Sequence, residues 1–334
     1  MANAGLKQTL FKRIFRDVVR GHSVSHYEGK RIYIKHLGIN EQVDIDDYRI
    51  EHLESAKKRG IPTEEEVLSL LDEEGDWTKA DEKEIHDEEK FIEGLIENKS
   101  GLYLQSQLDK QDEAINSARE KLGKKVLQRR SLLGNTAEEY AEKRCIDLYI
   151  IKSFYYDVNW QKAVFTEESF DELSSTELNN VSVIYNQLFD VYKDENFQKM
   201  VLEDFYGPYM QCCKQPIDFF GKATTLLTHY QLRLYSYTIM FKNILDGPEE
   251  IPWGIRKDPQ KLIDWARNPK GREKAREVME KASEGGAGLF GATKSDLEQL
   301  GVDTSGAGTV SLEEAAKKKG GTLTMEDLMK LSGI

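Results

Sequence analysis

Cysteine is scarce in this chain: three in 334 residues, at Cys145, Cys212 and Cys213. An odd number with two members adjacent does not make a disulfide framework, and no metal-ligand spacing runs through them. The expected compartment is therefore a reducing one, the cytoplasm. Long apolar runs are also missing. None approaches the ~18–20 residues of a membrane span, so no span is expected, and nothing resembles a cleavable signal peptide. Positive charge is in deficit, with 47 Lys and Arg against 59 Asp and Glu and a formal net charge of -12. A pI near 5.2 argues against a nucleic-acid binder that relies on overall charge, so no direct nucleic-acid contact is expected. Proline occurs only seven times, which leaves room for long helices.

What is present is a charged, helix-prone stretch from Trp77 to Arg144 around which the rest is arranged. Thr78 with Asp81 three residues on is a weak capping-box start. Behind it Ile85, Phe91, Ile92, Leu95 and Ile96 give one apolar helical face. After a turn at Asn98-Lys99-Ser100-Gly101 the pattern resumes with Leu108, Ile115 and Leu122, steps by four to Val126 and by seven to Leu133, which reads as a heptad stripe with a stutter. Gln111 and Ala118 occupy the partner positions, too lean for a long dimeric coiled coil. An antiparallel hairpin fits better, with one continuous rod of about 50 residues, roughly 75 Å, as the rival over 82–132.

Charge supports the hairpin independently. Residues 61–98 hold fifteen acids and three lysines, whereas 119–130 carry Arg119, Lys121, Lys124, Lys125, Arg129 and Arg130 against Glu120. A fold-back near Ser100 sets these bases against the acids around Asp72 to Glu82, and such complementarity selects register more than it adds stability. Gly134 is expected to stop the helix and Thr136, with Glu139, to cap the next.

Ahead of this stretch, Leu6, Leu10, Phe11, Ile14, Phe15, Val18 and Val19 stripe a helix whose other face carries Lys7, Lys12, Arg13, Arg16 and Arg20. Docking on its own domain or on an acidic partner is the expectation, with a membrane-surface anchor as the alternative. The runs 22–27 and 31–37 flank Glu28-Gly29, a hairpin signal. His22, His26 and His36 fall on it without a cysteine or paired carboxylates at ligand spacing, so no metal is expected there. Tyr48 to Arg59 reads as a helix ended by Gly60, and Pro62-Thr63 opens another through Leu71 whose first turn holds Glu64, Glu65 and Glu66.

From Thr136 to Leu245 the composition turns aromatic. Tyr140, Leu148, Ile151, Phe154 and Tyr155 are expected on one helix, and Leu178, Val181, Ile184, Tyr185, Leu188 and Tyr192 on a second. A third runs from Phe219 through Tyr230 and Leu234 to Ile244, apolar on most sides and so central. His229 within it reads as a hydrogen-bonded core histidine, and an enzyme reading would gather His229, Tyr230, Cys212 and Cys213 into one site. Asp258-Pro259 is a helix start ahead of Leu262, Ile263 and Trp265. Trp253 and Trp265 are candidate interface anchors, the alternative being a loop clamped onto the bundle. Beyond Ala282 the chain is Gly-rich. Gly286 and Gly291 have P-loop spacing, but Ala292-Thr293 stand where Lys-Ser/Thr is required, so no nucleotide is expected. Leu297 with Leu300, and Leu328 with Leu331, mark two short amphipathic turns expected to dock on a partner, with packing on their own domain as the alternative.

Two stretches resemble segments of known proteins: Leu133-Gly134-Asn135-Thr136-Ala137-Glu138 with Ala141-Glu142-Lys143-Arg144, and Ile251-Pro252-Trp253 followed by Asp258-Pro259, Leu262 and Trp265. They are similar to parts of virion-assembly and tail proteins of large tailed bacteriophages, of baseplate-hub and tail-assembly-chaperone types. The resemblance carries over no catalytic residue and no cofactor. It implies a non-enzymatic assembly or structural protein of the host cytoplasm or the virion, partnered by other virion proteins or by copies of itself. A cytoplasmic adaptor or chaperone is the other reading. The expected fold is mainly α, a helical bundle with a protruding charged helical hairpin and a small N-terminal β-hairpin. Its regions are 1–76 (α+β), 77–135 (hairpin), 136–282 (aromatic helical) and 283–334 (Gly-rich tail).

Overall fold

The structure, a computed structural model, describes residues 2–99, 101–102, 105–251, 253–269 and 273. They fall into two compact units, one built from the described residues of 2–78 and 131–263 and the other from those of 79–130, 264–269 and 273. The fold is mainly α, with one small antiparallel sheet among the described residues, built from two N-terminal strands and a third at 154–155.

The first unit begins with α1 (Ala2–Arg20), whose buried Phe11, Ile14 and Val18 face its own unit, while Phe15 meets the rings of Phe205, Tyr206, Tyr209 and Phe219. Gly21, at φ 74, turns the chain into β1 (His22–Tyr27), which pairs with β2 (Lys30–Lys35). Between them Glu28 and Gly29 both have positive φ, the two-residue turn whose twist matches that of the strands. A third strand, β3 (Phe154–Tyr155), pairs with β2 at Ile34 and Tyr33.

Helix α2 (Ile39–Lys58) starts well before the expected Tyr48, because the carboxylate of Glu41 accepts from the Gly38 amide and supplies a start signal that Gly38 itself cannot. Gly60 leaves it at φ 80. Thr63 and Glu66 then cap α3 (Glu64–Glu74) reciprocally. On the far side of the hairpin, Gly134 ends the preceding helix and the Thr136 hydroxyl accepts from the Glu139 amide to open α6 (Ala137–Ser153). Helices α2 and α6 pack together around Ile45, Cys145 and Leu148, and the Ala137 amide donates to the Pro62 carbonyl.

The unit is completed by α7 (Glu167–Asp171), α8 (Ser175–Val191), α9 (Asp194–Val201), α10 (Gly207–Cys212), α11 (Pro216–Phe220), α12 (His229–Leu245) and the start of α13 (Pro259–Arg267). One apolar cluster joins Tyr27, Ile32 and Ile34 of the sheet to Ile150, Phe154, Phe165, Phe170 and Val181. Two expectations are corrected here. Phe154 and Tyr155 do not continue α6; they leave it as a strand, where β2 offers backbone partners. The long helix from Phe219 is interrupted, since Gly221 takes φ 66, Thr224–Leu226 form a 3₁₀ turn, and Thr228 caps a new start at His229.

In the second unit α4 (Lys79–Lys99) and α5 (Gln105–Leu133) form an antiparallel hairpin. Partners climb one helix as they descend the other: Arg129 with Glu82, Lys125 with Asp81 and Glu84, Lys121 with Glu88, Ile92 with Ile115 and Ala118, then Lys99 with Asp112. The rod reading is thereby excluded. So is the stutter. The seam of α5 continues at 3–4 spacing from Ile115, Ala118 and Leu122 to the half-buried Lys125 and Arg129, and Val126 points outward. The acids opposite these bases run from Asp81 to Glu88, whereas Asp72 to Glu74 lie on α3.

Candidate functional site

The hairpin is held by two chemistries along one seam. At one end Ile92, Leu95, Ile115, Ala118 and Leu122 pack as in an ordinary coiled coil. At the other, carboxylates of α4 meet bases of α5. Near the turn sits Lys99, almost wholly buried, its Nζ 2.7 Å from Asp112 and 2.6 Å from Asp264 of α13. Burial pulls the pKa of Lys99 down, but the two carboxylates outweigh it and hold the ammonium above its ordinary value. Asn268, one turn beyond Asp264, donates to the Leu102 carbonyl at 2.5 Å. The outer surface of the hairpin carries exposed Phe91, Ile96, Val126 and Leu127.

The predicted anchors separate. Trp253 opens a 3₁₀ turn, is 82% exposed, and has the Arg256 guanidinium 5.2 Å from its ring. Trp265 is half-buried on α13, a helix opened by the Asp258 carboxylate accepting from the Lys261 amide. Leu297, Leu300, Leu328 and Leu331 lie outside the described residues.

A polar network occupies the core of the first unit. The Ser23 hydroxyl lies 2.8 Å from Nε2 of His36 and 2.6 Å from the Tyr192 hydroxyl; all three side chains are buried. The His36 ring stands edge-on to Tyr192 and Tyr230, which stack on each other at 4.4 Å. Burial drives the pKa of His36 down to about 3 and pushes that of Tyr230 up to about 12. A Ser–His pair can serve as nucleophile and base. Here Nδ1 of His36 has no hydrogen-bond partner, and Tyr192 fills the third position around the hydroxyl. The arrangement ties Ser23 of β1 to His36, just past β2, and to Tyr192, just past α8.

His229 is exposed rather than a core histidine. Its Nε2 accepts from Arg233 at 2.7 Å, and desolvation, then the guanidinium, lower its pKa. Arg233 also reaches Asp194 and the Tyr192 carbonyl. Cys212 is exposed. Cys213 is buried, which raises its thiol pKa to about 11, far from a reactive thiolate. His22 faces Tyr33 and Trp160, His26 is exposed and His36 is in the core, and among the described residues no three metal-ligating side chains are placed to hold an ion. No helix among those residues is long and apolar enough to cross a membrane.

Beside the network a pocket of about 180 Å³ opens between α1, the sheet and α8, walled by Leu10, Ile14, Val24, Ile184 and Leu188 with Arg13 and Asp17 at its edge. The Asp17 carboxylate is buried and matched by Arg16 at 3.0 Å and Arg13 at 3.8 Å. Sequence reasoning passed over Ser23, His36 as a network member, Lys99 and Gln231. The last is fully buried on α12, where its amide group donates to the Val18 and Val19 carbonyls that end α1. Only the capping box of Thr228 and Gln231 signals it locally. Compared with known proteins, the chain matches no family model, no curated protein and no solved structure.

Proposed function

We propose that this chain is a non-catalytic assembly protein that works through protein–protein contacts, with its coiled-coil hairpin as a partner-engaging element. The observation that carries the reading is the hairpin itself. Its two helices satisfy one another along a mixed apolar and charged seam, and their outer surface still presents Phe91, Ile96, Val126 and Leu127. Isolated apolar side chains on a surface are ordinary, but large ones on a rigid helical scaffold provide anchors for a partner. The setting, virion or tail morphogenesis of a tailed bacteriophage, comes from the resemblance of residues 133–144 and 251–265 to proteins of that kind.

The test is affinity purification of the tagged full chain from phage-infected cells, beside a variant carrying Phe91→Ser and Leu127→Ser. Co-purification with virion proteins in a fixed ratio, lost in the variant, supports the reading. Recovery of a lone monomer, or a ratio unchanged by the variant, overturns it.

A further inference from the structure

We propose that copies of this chain associate through a contact in which α3 of one copy docks on the α1 groove of another, with Leu70 entering the pocket beside Arg13. The proposal stands apart from the hairpin reading, since both surfaces lie in the first unit.

The receiving surface is the outward face of α1. Lys12, Arg13, Arg16 and Arg20 share it at helical spacing, and Asp17, its one acid, is buried against two of them. The residues of α8 that line the groove, Ile184, Gln187, Leu188 and Val191, include no acid, and Asp190 of the same helix is paired with Lys193 at 2.6 Å. In a chain of net charge -12 this is a local cationic face, and the pocket opens along it. At about 180 Å³ the pocket falls below the ~300–1,000 Å³ of small-molecule sites. It has the size of a single large side chain, its walls mix Leu10, Ile14 and Leu188 with Ser25 and Gln187, and a lone side chain seated in a small pocket is the usual form of an interface hot spot.

The incoming element has the complementary build. Helix α3 carries Glu64, Glu65, Glu66, Asp72, Glu73 and Glu74 and no base, and it has no buried residue. Leu70 is 57% exposed. Glu66 and Glu74, four residues either side, and Glu73, three beyond, lie around it on the same exposed face. A leucine ringed by carboxylates matches a pocket with an apolar wall of Leu10, Ile14 and Leu188 and the Arg13 guanidinium at its edge, on a helix that carries three further exposed bases. Contacts of this kind between different patches are heterologous, so they propagate into open chains of copies unless the rotation closes them into a ring. An anionic membrane fits the cationic face less well, because Phe11, Ile14 and Val18 of α1 are already buried within the unit, leaving Leu10 and Val19 as its exposed large apolar side chains among those described.

Sedimentation velocity of the full-length chain over a range of concentrations tests this. The wild type should associate, and raising the salt from about 0.05 to 0.5 M should weaken association about tenfold. Leu70→Asp and the double variant Lys12→Glu with Arg20→Glu should each be monomeric with unchanged circular dichroism. These positions are exposed, and neither Lys12 nor Arg20 is a partner of Asp17. Mixed in equal amounts, the two variants should give a one-to-one dimer and nothing larger, because one keeps the groove and the other keeps α3. The milder Leu70→Ser guards against misfolding of the aspartate variant and should also be monomeric. A wild type that is monomeric throughout, association that survives either set of changes, or folded variants that fail to pair on mixing would each overturn the proposal.

Discussion

His36 is a titratable group held where its charged form cannot be solvated. With Nε2 on Ser23 and Nδ1 unbonded among aromatic rings, burial takes its pKa from 6.5 to about 3. The unfolded chain binds a proton at this residue as the pH falls through 6.5, whereas the folded chain does not until about 3. The stability conferred by the neutral ring is therefore complete above 6.5 and is lost as the pH falls towards the folded value. The slope contributed is about 1.4 kcal/mol per pH unit below about pH 6. His22, His52 and His229 are also shifted down and add loss of the same sign. Urea unfolding from pH 7 to 4.5 should accordingly show a shallower pH dependence for His36→Gln than for the wild type, whatever the offset at pH 7; parallel profiles would rule out this role. Ser23→Ala should leave Nε2 of His36 and the Tyr192 hydroxyl buried without their shared partner, at a cost of about 2–4 kcal/mol at pH 7 in the same assay. A loss below about 1 kcal/mol would mean that the network relaxes around the missing hydroxyl.

At the scale of elements, the hairpin separates what is legible in a sequence from what is not. The turn near Ser100, the antiparallel pairing and the Gly134–Thr136 boundary follow from local signals: heptad spacing, a charge reversal along the chain, and cap residues. The stutter did not survive, because a rule that follows apolar residues alone steps to Val126, whereas the seam continues through Lys125 and Arg129, whose stems cover the groove while their charges reach carboxylates. Val126→Ser should thus change stability by no more than about 0.5 kcal/mol. Ile92→Ala, which removes a buried side chain opposite Ile115 and Ala118, should cost about 2–4 kcal/mol. Amide exchange should place that loss within 79–130, and loss spread evenly over the chain would contradict the separateness of the unit. The two-residue strand β3 was illegible for a different reason: its partner is over a hundred residues away, and Phe154-Tyr155 continue the helical apolar pattern of α6 without a break. The interruption between α11 and α12 was signalled by Gly221 and Thr228, but the apolar periodicity across them masked it. The pocket was illegible because α1, the sheet and α8 meet only in the fold.

For the whole molecule, the order of the chain and the order of its cores differ. Two core clusters of the first unit draw on both sides of the hairpin: Ile45 with Cys145 and Leu148, and Ile32 and Ile34 with Phe154 and Val181. The hairpin's own cluster draws only on residues within 79–130. Folding of the first unit therefore requires contacts about a hundred residues apart, and the hairpin shortens that search by bringing its ends together, as the Glu82–Arg129 pair near its base shows at 2.6 Å. Replacing 79–130 by a short Gly/Ser linker, which bridges the same gap, should leave the first unit folded. Its melting temperature should lie within about 5 °C of the wild type's transition for this unit, a difference on the order of 1 kcal/mol. Its refolding should stay within about tenfold of the wild-type rate, since the entropy of closing a loop grows only slowly with length. Near-ultraviolet circular dichroism reads the aromatic packing of Tyr192, Tyr230 and Phe197 directly. A deletion variant with helical content but no near-ultraviolet signal would show that the hairpin is needed to lock the aromatic core, and that the two units do not fold independently.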